Sequence, residues 1–486
     1  MSKLLLLFAY PFVAAAVTLG GATIALKNLK IYAIILSLLP LILLLSDPVG
    51  WIGAEINYVW IPALSINFHL NVDALSLLFL CLSAFVVPLA LTLAPKNKTA
   101  GAPFFYSLIF VLQGLLIGFF TARDLALFTI FWEAILLPLY MLIAYFGDTE
   151  GPKIALKFLI YMLAGSALMV AAVLALYFLS QNHSFDIALL AQSAAQLPHA
   201  AWICAIFMLA FAVKIPMFPF HAWLPNTYYQ APTAATILLA ALLSKAGVYG
   251  LFRISWELFN PFMVLWSPWL VSLAIVGVIY GGLAAWWQND FKRLLAYASF
   301  SHLNFILLGL FMVDQIAHSG AILQSINHGI TITALLLASS WLAQRLGTTD
   351  MQEAGGLAKI FPKLCWFTLL FILAYMALPG TNNFVGELLI LFGLFEQQPL
   401  VAVIAGATTL LTVIYMLRAM QKIYFGIPAS LQNHKYVANK PDLSVLEVIL
   451  AGILTMTIIA LGLYPLPIVQ IAEQATQNIA DFNVFK

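Results

Sequence analysis

Residues 214–250 read KIPMFPFHAWLPNTYYQAPTAATILLAALLSKAGVYG, and the rest of the fold follows from how this stretch is read. Lys214 lies in an apolar run that starts at Ala200 and extends to Met217, and Pro216 and Pro219 follow it. Proline removes a backbone donor and crowds the preceding turn, so a helix carrying Lys214 must break there. A second apolar run opens at Thr233 and contains Lys245. An ammonium group and an interrupted helix inside such runs are tolerated in hydrocarbon only where protein or enclosed water satisfies them.

Composition extends this reading to the whole chain. Of 486 residues, 63% are hydrophobic and 8% charged, whereas a soluble domain carries roughly 25% charged residues. A water-soluble globule is excluded. Lys and Arg number 21 against 19 Asp and Glu, a net charge of +2, which leaves no basic excess for holding a nucleic-acid backbone. Cys81, Cys204 and Cys365 lie far apart, so no disulfide framework, zinc site or iron–sulfur site can be read from them.

A membrane helix needs about 20 mostly apolar residues. Fourteen such stretches are found, at 4–25, 32–45, 72–93, 104–120, 125–146, 158–179, 200–217, 233–251, 265–286, 294–313, 320–342, 365–394, 400–416 and 445–464. The expected fold is an all-α integral membrane protein, a single polytopic domain over 1–486. Cytoplasmic loops carry an excess of Lys and Arg, and the loops after odd-numbered spans hold fifteen of these residues, among them Lys96, Lys98, Lys292, Arg345 and Lys435. The opposite face holds Lys3, Arg123, Arg253 and Lys486. Both termini are therefore expected outside the cytoplasm. The first apolar run has small residues at Ala14–Ala16, but with thirteen spans behind it, it reads as a retained helix and not as a secretory signal. Residues 468–485 are amphipathic and are expected to lie on the membrane surface.

Charge inside the bilayer marks where chemistry can occur. Glu133 sits in FTIFWEAILLPLYML, Lys214 and Lys245 in the stretch quoted above, and Glu387 in LPGTNNFVGELLILFG. His302 in ASFSHLNF and His328 in SINHGITI are further candidates. Glu133 has a short side chain eight residues inside its span, which leaves a buried structural ion pair as the rival to proton transfer. Lys245 can also be read as snorkelling to the interface, and either histidine as a hydrogen-bonded core residue. Asp73 reads as a helix N-terminal residue. Desolvation brings buried carboxyls and amines toward neutrality in their proton affinity, so a chain of them forms a switchable proton relay.

The Leu378–Asn383 segment, LPGTNN, interrupts span twelve just before Glu387. Breaks in spans seven and twelve are five helices apart, a separation that suggests inverted five-helix repeats. These would cover 104–251, spans four to eight, and 265–416, spans nine to thirteen.

The 214–250 stretch, with FWEAILLPLYMLI before it, resembles the antiporter-like membrane subunits of respiratory complex I through nearly the whole chain. Glu at 387 in LPGTNNFVGELLIL is similar to the chain M branch of that family. The resemblance implies that Glu133 and Lys214 form a coupled pair in helices five and seven, that Lys245 is a central relay, and that Glu387 is the terminal proton carrier. It also implies that His302 and His328 link Lys245 to Glu387. One departure is Gln230, ahead of Ala231-Pro232-Thr233, where many relatives carry an acid. The implied function is proton translocation in a bacterial inner membrane, within an NADH–quinone oxidoreductase. This chain would hold no cofactor of its own, and FMN, iron–sulfur clusters, NADH and quinone would belong to partner subunits. A subunit of a multi-subunit cation/proton antiporter is the alternative, and a purely structural scaffold the third reading.

Overall fold

The computed structural model describes residues 2–20, 26–93, 101–426 and 440–477. Helices α1 (Lys3–Gly20) and α2 (Leu26–Ser46) lead to a hairpin of β1 (Glu55–Ile61) and β2 (Ile66–Asn71). There follow α3 (Ala74–Leu91), α4 (Ala102–Thr121), α5 (Leu125–Ala134), α6 (Leu136–Phe146), α7 (Gly151–Leu179), α8 (Ile187–Ala191) and α9 (Ala200–Lys214). Next come α10 (Leu224–Gln230), α11 (Thr233–Leu238), α12 (Ser244–Gly250) and α13 (Glu257–Trp287), with π-helical turns at Leu239–Leu243 and Leu251–Trp256. The rest is α14 (Phe291–Phe311), α15 (Gln315–Leu346), α16 (Pro362–Tyr375), α17 (Asn382–Gln397), α18 (Pro399–Met420), α19 (Val445–Leu463) and α20 (Leu466–Gln477).

Eleven helical runs among the described residues are long and apolar enough to cross a bilayer, and one of them, Thr233–Trp287, has 55 residues. A straight helix of that length would reach about 80 Å, more than twice a hydrocarbon core. The run is two spans, because Phe259 leaves helical geometry at φ −130° and ψ 29° just ahead of Pro261. The shorter α9 and α16 are the first halves of the two interrupted spans. The fourteen expected spans are thus accounted for, with breaks where Pro216 and the Leu378–Asn383 segment put them. Span five, expected to be continuous, is interrupted at Ile135, where Pro138 offers no N–H to the preceding turn. The hairpin was not foreseen either. Of the expected surface segment, α20 covers the first part, while residues 478–485, like Lys96, Lys98 and Lys435, lie outside the described residues.

The chain divides into two compact units, one of residues 1–216, 230–268 and 474–486, the other of 217–229 and 269–473. In the first unit Asp124 starts α5 by accepting from the amides of Ala126 and Leu127, which satisfies donors that a helix start leaves bare. The hairpin is tied down by His69, whose Nε2 lies 2.7 Å from Glu55 and whose Nδ1 lies 3.4 Å from Asp186, the N-cap of α8.

The core of the second unit is α15, buried through its central turns although it is the least apolar of the eleven runs. A polar helix at such depth must find its partners in protein, and α15 finds several at the break in span twelve. Asn327 Nδ2 donates to the Asn382 carbonyl at 2.7 Å, and Asn382 Nδ2 donates back to the Asn327 carbonyl at 3.0 Å and to Thr331 Oγ1 at 3.1 Å. Asn383 Nδ2 donates to the carbonyl of Ala374, at the end of the first half-helix, at 3.0 Å. The interruption is therefore a hydrogen-bonded corner. On the far side of the unit, Arg345 holds Glu447 at 2.7 Å and the Asp442 carbonyl at 2.9 Å, fastening α15 to the start of α19.

Asn382→Ala removes the side chain that joins Asn327 and Thr331 and leaves buried groups unpaired. It should lower stability by about 1–3 kcal/mol, seen as an earlier thermal unfolding transition in detergent; an unchanged transition would contradict this account of the corner.

The hairpin makes a second prediction, from pH. Asp186 beside the ring raises His69 above its ordinary 6.5, against burial, with Glu55 adding to it, and His69 in turn lowers Asp186. The raised histidine contributes fully below about 6.5 and its contribution is lost as pH rises through its folded value. The lowered aspartate contributes above its ordinary 3.8 and fails as pH falls through its folded value. Amide protection in β2, taken relative to the intrinsic exchange rate at each pH, should be greatest between these limits and fall as pH rises through the folded value of His69, and His69→Gln should remove that fall.

Candidate functional site

In the first unit the last residue of α9 is Lys214, where the carbonyl end of a helix favours a cation. Its side chain is 1% exposed. Nζ donates to the Trp132 carbonyl at 2.9 Å and lies 3.3 Å from the centroid of the Trp132 ring. That carbonyl is in the last turn of α5, where the helix leaves its acceptors without internal partners, so the interruption at Ile135 is what makes it available. Glu133, the next residue, is half-buried, and the polar groups acting on its carboxylate are Ser166 of α7 and Lys214. Lys214 thus gives its hydrogen bond to the backbone beside Glu133 and not to the carboxylate itself.

Lys245 lies in α12 between the two π-helical turns and is fully buried, at 0% exposure. Snorkelling is therefore overturned. Its Nζ donates to the Ala240 carbonyl at 2.8 Å and approaches Ser244 Oγ at 3.4 Å, and Ser244 Oγ donates to the same carbonyl at 2.8 Å. The wide turn at Leu239–Leu243 thus supplies the acceptor for a buried cation; π-turns of this kind frequently mark functional positions.

Arg253, expected in a loop, is instead buried at 4% exposure. It donates to Asp73 at 2.7 Å, to Glu257 at 3.0 Å and to the Tyr249 hydroxyl at 3.2 Å. Arg123 reaches the same Asp73 oxygen at 2.7 Å, and the Tyr249 hydroxyl donates to the Phe120 carbonyl at 2.8 Å. Asp73 does cap α3, accepting from the Ser76 amide at 2.9 Å, but it is also the centre of this network. Burial alone would raise its carboxyl; the two arginines outweigh burial and hold it well below the usual carboxylate range. Sequence reading missed the network because Asp73, Arg123 and Arg253 are far apart in the chain.

In the second unit Glu387 sits on α17, one turn beyond the corner, and is 5% exposed. Gln324 Nε2 of α15 donates to its Oε1 at 3.1 Å, and His302 Nδ1 of α14 lies 3.5 Å from the same oxygen. Gly386 permits this approach, since a Cβ there would meet the Gln324 Cα at 3.0 Å. The His302 and His328 rings are 5.8 Å apart, centroid to centroid. Of the six residues singled out in the sequence, the structure associates Glu133 with Lys214 in one unit and His302 with Glu387 and His328 in the other. Lys245 is placed in the first unit. Gln324, Asn327 and Thr331 were missed, although their spacing within α15, a polar stripe in an apolar helix, was a usable signal.

With this geometry in view, the relatives are informative. A family model described as NADH:quinone oxidoreductase/Mrp antiporter, TM, matches residues 122–412. The chain is 37% identical over 437 residues to NADH-quinone oxidoreductase subunit M of Pseudomonas aeruginosa, covering 87% of this chain and 84% of that one. A chain in the structure of respiratory complex I from Thermus thermophilus with bound NADH superposes with a TM-score of 0.89 at 30% identity, covering 99% of each chain. A chain of the Mrp complex from Dietzia sp. shares the fold with a TM-score of 0.87 at 21% identity, covering 99% of this chain and 98% of that one.

The arginine network carries its own prediction. Arg253→Met strips the half-buried Asp73 and Glu257 of a partner, with Arg123 still on Asp73, and should destabilise by about 1–3 kcal/mol, read as a lowered unfolding temperature. Adding Asp73→Asn should recover part of the loss, and a single variant as stable as the parent would show that the network carries no load.

Proposed function

The chain belongs to the NADH:quinone oxidoreductase/Mrp antiporter membrane-subunit family, and from that membership we propose that it is a proton-translocating subunit of an NADH–quinone oxidoreductase. The observation that carries the reading is the burial of ionisable groups at helix irregularities: Lys214 at the carbonyl end of α9, Lys245 beside a π-turn, and Glu387 one turn past the corner in span twelve. Electron transfer takes place in partner chains, which hold FMN and iron–sulfur clusters and engage NADH and quinone. This chain performs no redox step of its own. It works as a multi-pass protein of a bacterial inner membrane, beside other antiporter-like subunits, with both termini on the non-cytoplasmic side.

The proposed cycle starts when a signal from neighbouring membrane subunits separates Glu133 from Lys214. Opposite charge at a distance favours the protonated amine, so loss of Glu133 lets Lys214 release its proton. The proton moves by way of Lys245 and water to the His328, His302 and Glu387 group, and leaves on the outer side. Spans four to eight and nine to thirteen act as two inverted repeats, each with one broken helix. Identity to subunit M favours this role over cation/proton antiport, since the Mrp chain is similar in fold alone.

Glu133→Gln and Lys214→Ala should each lower NADH-driven proton pumping in membrane vesicles by about a hundredfold or more while the complex still assembles, the lower end of what a lost acid–base group removes. Lys245→Ala and Glu387→Gln should also impair it. Normal pumping in the Glu133 variant would restore the scaffold reading. Purification through a tag on this chain should recover flavin, iron–sulfur signals and inhibitor-sensitive NADH–quinone activity; recovery of small hydrophobic partners without flavin would move the assignment to an antiporter.

A further inference from the structure

Tyr375 is the last residue of α16, at the lip of the corner that precedes Glu387. It is fully buried, and among the described residues its hydroxyl has no hydrogen-bond partner. Its ring lies 4.2 Å from that of His302 and 6.0 Å from that of His328, centroid to centroid. The titratable groups that act on it are Tyr415, Glu387 and Tyr228. A buried hydroxyl left without a partner costs about 1–3 kcal/mol, which two other buried tyrosines of this unit avoid: Tyr415 donates to Thr412 Oγ1 at 3.2 Å and Tyr424 pairs with Thr368 at 2.8 Å. Tyr375 instead lines a small cavity together with Ser301, His302, Glu387, Thr409 and Thr412. The cavity has about 10 Å³ open to water centres, close to the minimum for one water molecule, which also needs two to four polar partners. Those partners are present in the lining.

We propose that Tyr375 is a positioning residue for proton transfer at Glu387, its hydroxyl holding a single water against Glu387 and His302 in this cavity. The inference rests on the reading of Glu387 as a proton carrier. The hydroxyl is suited to the task because it can donate or accept. When the carboxyl passes its proton to the water, the water releases one of its own to the His302 imidazole: the carboxyl O–H breaks, an imidazole N–H forms, the water is restored, and the carboxylate left behind faces the imidazolium until it is reprotonated. A phenylalanine fills the same volume but cannot hold the water.

The test is Tyr375→Phe in the intact complex, alone and combined with Glu387→Gln. The single variant should assemble normally and pump roughly two- to tenfold more slowly, the effect of one net hydrogen bond. The infrared carbonyl band assigned to Glu387, identified by its absence in Glu387→Gln, should shift in Tyr375→Phe, a change that loss of packing alone would not produce. On the Glu387→Gln background, adding Tyr375→Phe should have no further effect. If Glu387→Gln impairs pumping while Tyr375→Phe pumps normally with an unmoved band, the proposal is wrong and the parent reading stands. Should Glu387→Gln itself pump normally, the parent reading fails first.

Discussion

Inside a bilayer no solvent is available to repair an unsatisfied backbone group or an unpaired charge, and each would be expensive alone. In this chain each problem supplies the other's remedy. The interruption of span five leaves the last carbonyls of α5 bare, and Lys214 donates to one of them. The π-turn at Leu239–Leu243 widens a helix, and the Ala240 carbonyl inside it accepts from both Lys245 and Ser244. At the corner in span twelve no cation is used; amides and a hydroxyl of α15 close the gap instead. A straight, unbroken bundle would have no acceptors to offer these lysines.

Holding an ammonium by a carbonyl has an electrostatic consequence. In a direct ion pair, release of the proton would leave the carboxylate without its cation. With the carbonyl as anchor, the acid can act from farther away, where its effect changes with distance. Two unit charges interact by about 4 kcal/mol at 4 Å for an effective dielectric constant of 20, and by about 2 kcal/mol at 8 Å. A movement of a few ångströms between Glu133 and Lys214 therefore alters the balance by more than the 1.4 kcal/mol or so that corresponds to tenfold in proton occupancy. Pro216 lies two residues beyond Lys214, where the chain leaves the first unit for the second, so the cation sits next to a joint in the chain path.

The spans, the two broken helices, the half-buried Glu133 and the buried Lys214, Lys245 and Glu387 were legible in the sequence, because a charge or a proline within an apolar run is a local signal. What escaped reading is what depends on distant neighbours or has no local signature. Arg253 looks like a loop residue until Asp73, 180 positions away, is brought to it. A π-turn in ILLAALLSKAG resembles ordinary helix, so Lys245 could be drawn near an interface when it is in fact fully buried. Pro138 was visible, yet span five read as continuous because apolar residues run across it. The polar residues of α15 were each readable as tolerated exceptions; only their shared face toward the corner and Glu387 shows that they form a lining.

The two acids and their surroundings follow one arrangement. Lys214 is fixed by a neutral carbonyl, with titratable Glu133 acting from beyond hydrogen-bond contact. Glu387 is fixed by the neutral amide of Gln324 at 3.1 Å, with titratable His302 at 3.5 Å. A neutral partner keeps its hydrogen bond through protonation and deprotonation, because a carboxyl oxygen accepts from an amide in either state. The charged group therefore stays in place while its proton comes and goes, and the titratable neighbour alone registers the change. Gly386 serves the same end: by letting α17 approach the Gln324 backbone, it fixes where Glu387 stands before any charge is considered. Position is set by groups that cannot titrate, and proton affinity by groups that can, so one can be altered without disturbing the other.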